Sequence, residues 1–230
     1  MDNIVVILQK HFYWPKLQHD TYQYIRLCIV CSITKSFIMN VLLHIHLSEL
    51  DKSWESISMD YMSGFPSKKF GHNCVFVVIN RFCKMTILAP YKKIITAEAT
   101  TKLFFVHVWV HFGIPRTIIL GMYNRFIITF WYSLWSLMDT KLTKSISFHP
   151  QIDVKIEVVN MMIVHILRMY NSKNPCTWDE SLPYVYPSYN RALQRSIGHN
   201  PFQVFLRVYP LDPIDVALPF PASLKEFSHA

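Results

Sequence analysis

Hydrophobic and polar positions along the chain change period several times, and the changes divide it into elements. Residues 1 to 45 read as a small helical module, with an aromatic and polar helix from Asp20 to Leu27 preceded by Trp14-Pro15, where proline can open a helix. From Trp54 to Tyr61 apolar and polar residues alternate, which predicts a strand, and Cys74-Val75-Phe76-Val77-Val78-Ile79 is the unbroken apolar run of a buried one. Met85 to Leu88 predicts a third strand and Arg116 to Leu120 a fourth. Between these, Thr96 to Phe112 reads as a helix closed by Gly113 with Pro115 just beyond. A second helix is expected over Thr129 to Met138 and a short fifth strand over Lys141 to Ser147. A long helix follows from Ile156 to Tyr170, with Val158, Val159, Met162, Ile163, Ile166 and Leu167 as its buried stripe. The last helix runs from Trp178 to Gln194, where Pro183 and Pro187 are expected to kink or divide it. Three strands followed by alternating helices and strands predict a mixed α/β sheet flanked by helices.

Composition narrows the class. Hydrophobic residues make up 51% of 230 and charged ones 17%, so the chain can build a sizeable core. Lys and Arg total 23 against 15 Asp and Glu, a formal charge of +8 that favours polyanionic partners such as nucleic acid or anionic membrane surfaces, a merely soluble basic protein being the equally open reading. The longest hydrophobic region, Leu103 to Pro115, is interrupted by His107, His111 and Gly113 and falls short of a bilayer span. The apolar run Ile4 to Leu8 lacks the flank and length of a secretory signal, so a soluble chain is expected. Five cysteines with one close pair, Cys28 and Cys31, read as reduced and intracellular. That pair can hold one edge of a tetrahedral zinc site, which needs two more ligands. His11 and His19 lie upstream, but an aromatic anchor and a polar helix face are the preferred readings for them. His107 and His111 are likewise read as packing or surface residues for want of a third ligand. Phe130-Trp131-Tyr132 and Trp135, at helical spacing, are read as core.

Several strings occur in order: His11-Phe12-Tyr13-Trp14-Pro15 with Cys28-x-x-Cys31, Trp54-Glu55-x-Ile57-Ser58-Met59-Asp60, Val77-Val78-Ile79-x-Arg81-Phe82-x-Lys84-Met85, Gly113-Ile114-Pro115-Arg116-Thr117-Ile118, His149-Pro150-Gln151-x-Asp153 with Glu157-Val158-Val159-Asn160, and Tyr189-Asn190-Arg191-Ala192. Together they resemble the integrases of gypsy-class LTR retrotransposons over roughly residues 11 to 215. The resemblance implies a truncated zinc-binding module at residues 1–45, a ribonuclease H-like catalytic core at 50–208, and a linker or disordered tail at 209–230. It also implies retroelement end processing and joining to target DNA, a homo-oligomer, and a nuclear site of action reached through the cytoplasm. Two His ligands of the family's zinc module precede the Tyr-Trp-Pro element, so only Cys28 and Cys31 are retained here for Zn.

The implied chemistry needs two divalent cations, Mg or Mn, about 4 Å apart and held by carboxylates from several elements. Asp60 matches the family's first acid and Glu157 its last. Read without the resemblance, they are a strand-end acid and an exposed helix acid. At the second acid position the chain reads Leu120-Gly121-Met122-Tyr123-Asn124-Arg125-Phe126, which places Gly121 where the family has Asp. Thirty-five residues separate Gly121 from Glu157, as in the family. Glycine offers only a backbone carbonyl, so loss of catalysis is expected. Asp153 lies on the wrong wall to substitute, and Asn124 is a neutral candidate. The turn Asp153-Val154-Lys155-Ile156 departs from the family's Asp-Gly-Gln-Thr. Gln151 and Lys155 are candidate DNA contacts, Lys155 being equally well a solvated loop residue. Two alternatives stay open: a non-catalytic nucleic-acid-binding or interaction domain retained from a retroelement, and a decayed fragment.

Overall fold

The apolar run Cys74–Asn80 is buried along its whole length because it lies inside the sheet with a layer packed on each face. The computed structural model describes residues 2–28, 53–66, 70–92, 96–120, 124–137, 154–194, 197–208, 210–211 and 213–217. In chain order the elements are α1 (Asp2–His11), α2 (Leu17–Leu27), β1 (Ser56–Ser63), β2 (Cys74–Asn80), β3 (Thr86–Tyr91), α3, β4 (Thr117–Leu120), α4 (Asn124–Leu137), α5 (Val154–Tyr170), α6 (Trp178–Asn190), α7 (Pro201–Leu206) and α8 (Pro213–Ala217). Helix α3 begins as Ala97–Phe104, passes through a π-helical turn at Phe105–Trp109 and ends as Val110–Phe112. The fifth strand expected at 141–147 lies outside the described residues.

The sheet order is β3-β2-β1-β4, with β1 antiparallel to β2, β2 antiparallel to β3, and β1 parallel to β4. The period of two along β2 divides the core: Phe76 and Val78 join Ile57, Met59, Phe104, Val108, Ile118, Phe130 and Leu134 on the α3/α4 side. Val75, Val77 and Ile79 join Met62, Ile156, Val159, Ile163, Leu167, Trp178, Leu182, Val185 and Tyr189 on the α5/α6 side. This is the mixed α/β architecture that the alternation of elements predicts.

Differences from the sequence expectations have local causes. The stripe of α5 that packs on the sheet is Ile156, Val159, Ile163 and Leu167, while Met162 is 38% exposed, so the helix sits rotated from the expected phase. Tyr132 is 76% exposed, whereas its neighbours Phe130 and Leu134 are buried, so the aromatic run of α4 is only partly core. Helix α6 runs unbroken through Pro183 and Pro187 and stops at Asn190, four residues earlier than expected. Its buried stripe Trp178, Leu182, Val185 and Tyr189 holds it to the sheet despite two missing amide donors. The N-terminal region contains a helix, α1, ahead of the expected one, and α2 starts at Leu17. Within the stretch expected as a linker or disordered tail, α8 forms at Pro213–Ala217 and buries Asp215, and residues 218–230 lie outside the described ones.

Helix α3 starts where the sequence places a cap: Thr96 Oγ1 accepts the Ala99 amide. It ends on Gly113, with φ 79° and ψ −169°, a conformation essentially restricted to glycine. A Cβ added at this position would meet no atom within 4 Å, so replacement costs backbone strain alone. Gly113→Ala is therefore expected to lower stability by about 1–3 kcal/mol, read as a lower thermal midpoint with an unchanged circular-dichroism spectrum. An unaltered midpoint would contradict the assignment of strain to this residue.

Candidate active site at the β1–α5 junction

Alternation along β1 sends Ile57 and Met59 into the α3/α4 layer and turns Asp60 toward the α5 side, where Met62 is packed. The parallel pairing with β4 is set one residue upstream. The Glu55 carbonyl accepts the backbone N–H groups of Arg116 and Thr117 at 2.8 and 3.0 Å, and the Arg116 guanidinium donates to the Glu55 carboxylate at 2.8 Å. From that start Ser56 stands opposite Thr117 and Met59 opposite Leu120. Asp60 and Gly121 are thus the residues that follow one register pair on neighbouring strands. Gly121 itself lies outside the described residues.

Helix α5 crosses β1 with Glu157 in its first turn and Asn160 three residues on, the spacing that puts two side chains on one helix side. Asn160 Nδ2 donates to Asp60 Oδ2 at 2.8 Å. Glu157 is exposed and sits where the helix dipole favours an anion. Burial pushes the half-buried Asp60 carboxyl above the usual carboxylate range. The Tyr61 backbone N–H and the Asn160 amide pull the other way, and the negative charge of Glu157 adds a smaller upward push. The structure thus brings the first and last acids into one electrostatic site. Next to it, the Tyr61 hydroxyl shares a 2.8 Å hydrogen bond with Thr100 Oγ1, tying the β1 residue after Asp60 to α3. Burial raises the Tyr61 pKa.

Sequence reasoning does not single out Asn160 as a site residue, although its place three residues after Glu157 carries the signal. Its Oδ1 is enclosed and has no hydrogen-bond partner among the described residues. Carboxylate and carboxamide oxygens such as those of Asp60, Glu157 and Asn160 are the hard donors that divalent cations prefer. Among the described residues no three His, Cys, Asp or Glu side chains converge to hold a metal ion. The third carboxylate expected by the family chemistry is the one that Gly121 cannot provide.

The remaining candidates fall elsewhere. Gln151, Asp153 and Cys31 lie outside the described residues, Lys155 belongs to the first turn of α5, and Asn124 opens α4. Cys28 is half-buried at the end of α2, where its N–H donates to the Tyr24 carbonyl. His19 is exposed on α2, while His11 is packed against Asp215, with Nε2 3.0 Å from Oδ1. His107 and His111 both lie on α3. Burial, and then the neighbouring His111, lower the His107 pKa. No described helix is long and apolar enough to cross a membrane.

No protein-family model matches the chain. It is 32% identical over 214 residues to the Transposon Tf2-3 and Tf2-4 polyproteins of Schizosaccharomyces pombe, covering 91% of this chain and 16% of each polyprotein. The chain therefore spans about a sixth of the length of these relatives. Among solved structures it is similar to a simian T-cell lymphotropic virus intasome in complex with PP2A regulatory subunit B56 gamma. That match covers 90% of this chain and 71% of the other, at 16% identity and a TM-score of 0.55. A magnesium complex of the HTLV-2 integrase catalytic core domain matches 66% of this chain and 95% of its own length, at 17% identity and a TM-score of 0.49. The chain is thus related, over nearly its whole length, to a segment of the Tf2 retrotransposon polyproteins, and its mixed sheet flanked by helices has the ribonuclease H-like fold.

Proposed function

We propose that this chain is an integrase-type nucleic-acid-binding protein in which the constellation for DNA end processing and strand transfer is retained in part and disabled at Gly121. The observation that carries the reading is the Asp60–Asn160 hydrogen bond, which joins the first acid of β1 to the helix bearing Glu157. Asp60 and Glu157 would hold a divalent cation, Mg or Mn, with Asn160 Oδ1 as a neutral neighbour. A bound cation supplies charge stabilisation for the attacking and leaving oxygens at phosphorus. The protein's own residues do the positioning: β1 fixes Asp60, α5 fixes Glu157, and the Asn160 amide fixes the Asp60 carboxylate. Two carboxylates cannot offset two divalent cations as three do, so the second cation is held poorly and turnover is lost.

Binding is a separate matter from turnover. The +8 charge supports contacts to the phosphate backbone, with Gln151 and Lys155 as candidate contacts. Cys28 and Cys31 would form an incomplete zinc half-site that needs two further ligands. Action in the nucleus after cytoplasmic passage, as a homo-oligomer on DNA, completes this reading. The gap at Gly121 together with the positive charge favours a second form of it, a DNA- or RNA-binding domain retained without the chemistry. The test is a titration of the full chain against duplex DNA carrying retroelement termini, with joined product scored in parallel. Binding is expected to weaken roughly hundredfold between 50 and 200 mM salt, as for about four neutralised phosphates, with no joined product. Salt-independent binding, or efficient joining by the unmodified chain, would overturn the proposal.

A further inference from the structure

We infer that the cleft between the end of α1 and the start of α2 is a stacking site for an unpaired nucleobase of a single nucleic-acid strand. Phe12, Tyr13, Trp14 and Pro15 line it together with Gln9 and Gln18, and it encloses about 400 Å³, a volume within the range of small-ligand sites. The connection that carries the aromatic residues is held at both ends. The Phe12 N–H donates to the Leu8 carbonyl at 2.8 Å, extending the hydrogen bonds of α1, and the Trp14 carbonyl accepts the Leu17 N–H at 3.1 Å. Trp14 Nε1 donates to Asp20 Oδ2 at 2.9 Å, which fixes the indole, and the ring of Pro15 fixes its own φ. The site is therefore ordered before a ligand arrives. Tyr13 is 92% exposed, the most exposed of the large hydrophobic side chains described, and its neighbour Phe12 is 39% exposed. Folding gains nothing from a ring left in water, so its stacking energy is available to a partner.

The lining chemistry selects the ligand. An aromatic face stacks any base, and the exposed carboxamides of Gln9 and Gln18 each add donors and an acceptor of the kind that pairs with a base edge. No Asp or Glu lines the cleft among the described residues, and Asp20 is turned to Trp14. The nearby cations are exposed: Lys16 directly follows Pro15, and Arg26 follows Gln18 and Tyr22 in steps of four along α2. Cations ahead of and beyond an aromatic site match the alternation of phosphate and base along one strand. In a duplex the base faces are covered by their neighbours, so the cleft takes a base from single-stranded DNA or RNA. This site rests on the nucleic-acid-binding reading of the chain and adds to it a contact that does not depend on phosphate.

The test measures binding of the full chain to a single-stranded DNA, to the same sequence as RNA, to the same strand built of abasic units, and to the matching duplex. The base-bearing strands are expected to bind about tenfold or more tightly than the abasic strand, which carries the same phosphates. Tyr13→Ala should remove most of that advantage and Tyr13→Phe should keep it, while abasic-strand and duplex binding stay within about twofold of the parent. Tyr24→Ala removes a 74% exposed ring that does not line the cleft and should change nothing. Both residues stand in water, so neither substitution threatens the fold. A Tyr13-dependent loss on DNA, on RNA or on both supports the cleft and identifies the strand it takes. Equal affinity for base-bearing and abasic strands, unchanged binding by Tyr13→Ala, or an equal loss in Tyr24→Ala would overturn it. Duplex binding that persists without any base-dependent part sinks the cleft alone, whereas base-dependent strand binding without duplex binding sinks the duplex reading and leaves the cleft standing.

Discussion

Gly121→Asp is expected to raise the joining of retroelement ends to target DNA in Mg or Mn on the order of 10²-fold or more in rate over the parent chain. β1 and β4 are parallel and in step up to Met59 and Leu120, and Asp60 and Gly121 each follow that pair. Asp60 is a carboxylate that burial, with a smaller push from the charge of Glu157, already holds above its usual pKa range. A third carboxylate without cation adds repulsion, while two divalent cations reverse the balance. The variant should therefore be less stable than the parent in chelator and gain more thermal stability on addition of Mn than the parent does. Asp60→Asn in the same background should abolish both the joining and the Mn-dependent gain. Equal joining by parent and variant would show that Gly121 does not disable the site.

How much of the molecule is legible in its sequence differs from residue to residue. The β2 run announces a strand buried on both faces, and the Thr96 and Gly113 caps bracket α3, because these signals are local and act within a few residues. Asp60 and Glu157 are placed by motif, and the structure adds what holds them together. The Asn160 contact is not foreseeable, since a hydrogen bond across 100 positions depends on which side of α5 meets β1. The same dependence explains Met162: periodicity gives the helix, but its rotation is set by packing of Ile156, Val159, Ile163 and Leu167 on the sheet. Helices α1 and α8 escape because their apolar runs are short and the contact between them, His11 to Asp215, joins positions far apart in the chain. In α6 a local rule fails outright, as burial of one stripe outweighs two prolines.

Asn190→Ala is expected to cost about 3–5 kcal/mol, because its carboxamide completes the edge of the sheet. β3 is the outer strand on its side among the described ones, and Thr86 is its first residue. Asn190 Oδ1 accepts the Thr86 backbone N–H at 2.9 Å, and Nδ2 donates to the Thr86 carbonyl and to the Tyr186 carbonyl, each at 3.0 Å. Both Asn190 and Thr86 are fully buried. One side chain thus pairs with the edge as the peptide of a further strand would, and water cannot take its place. Alanine leaves the Thr86 donor and acceptor enclosed and unpaired, each at a cost of about 1–3 kcal/mol. For a chain of this length that is a fall of roughly 10 °C in melting temperature. Ser188→Ala, two residues away, removes exposed hydrogen bonds to the Tyr170 hydroxyl and the Tyr184 carbonyl, so it should cost about 0.5 kcal/mol or less. Similar losses in the two variants would refute the edge-pairing role, whereas a large gap between them places the Asn190 effect at the β3 edge.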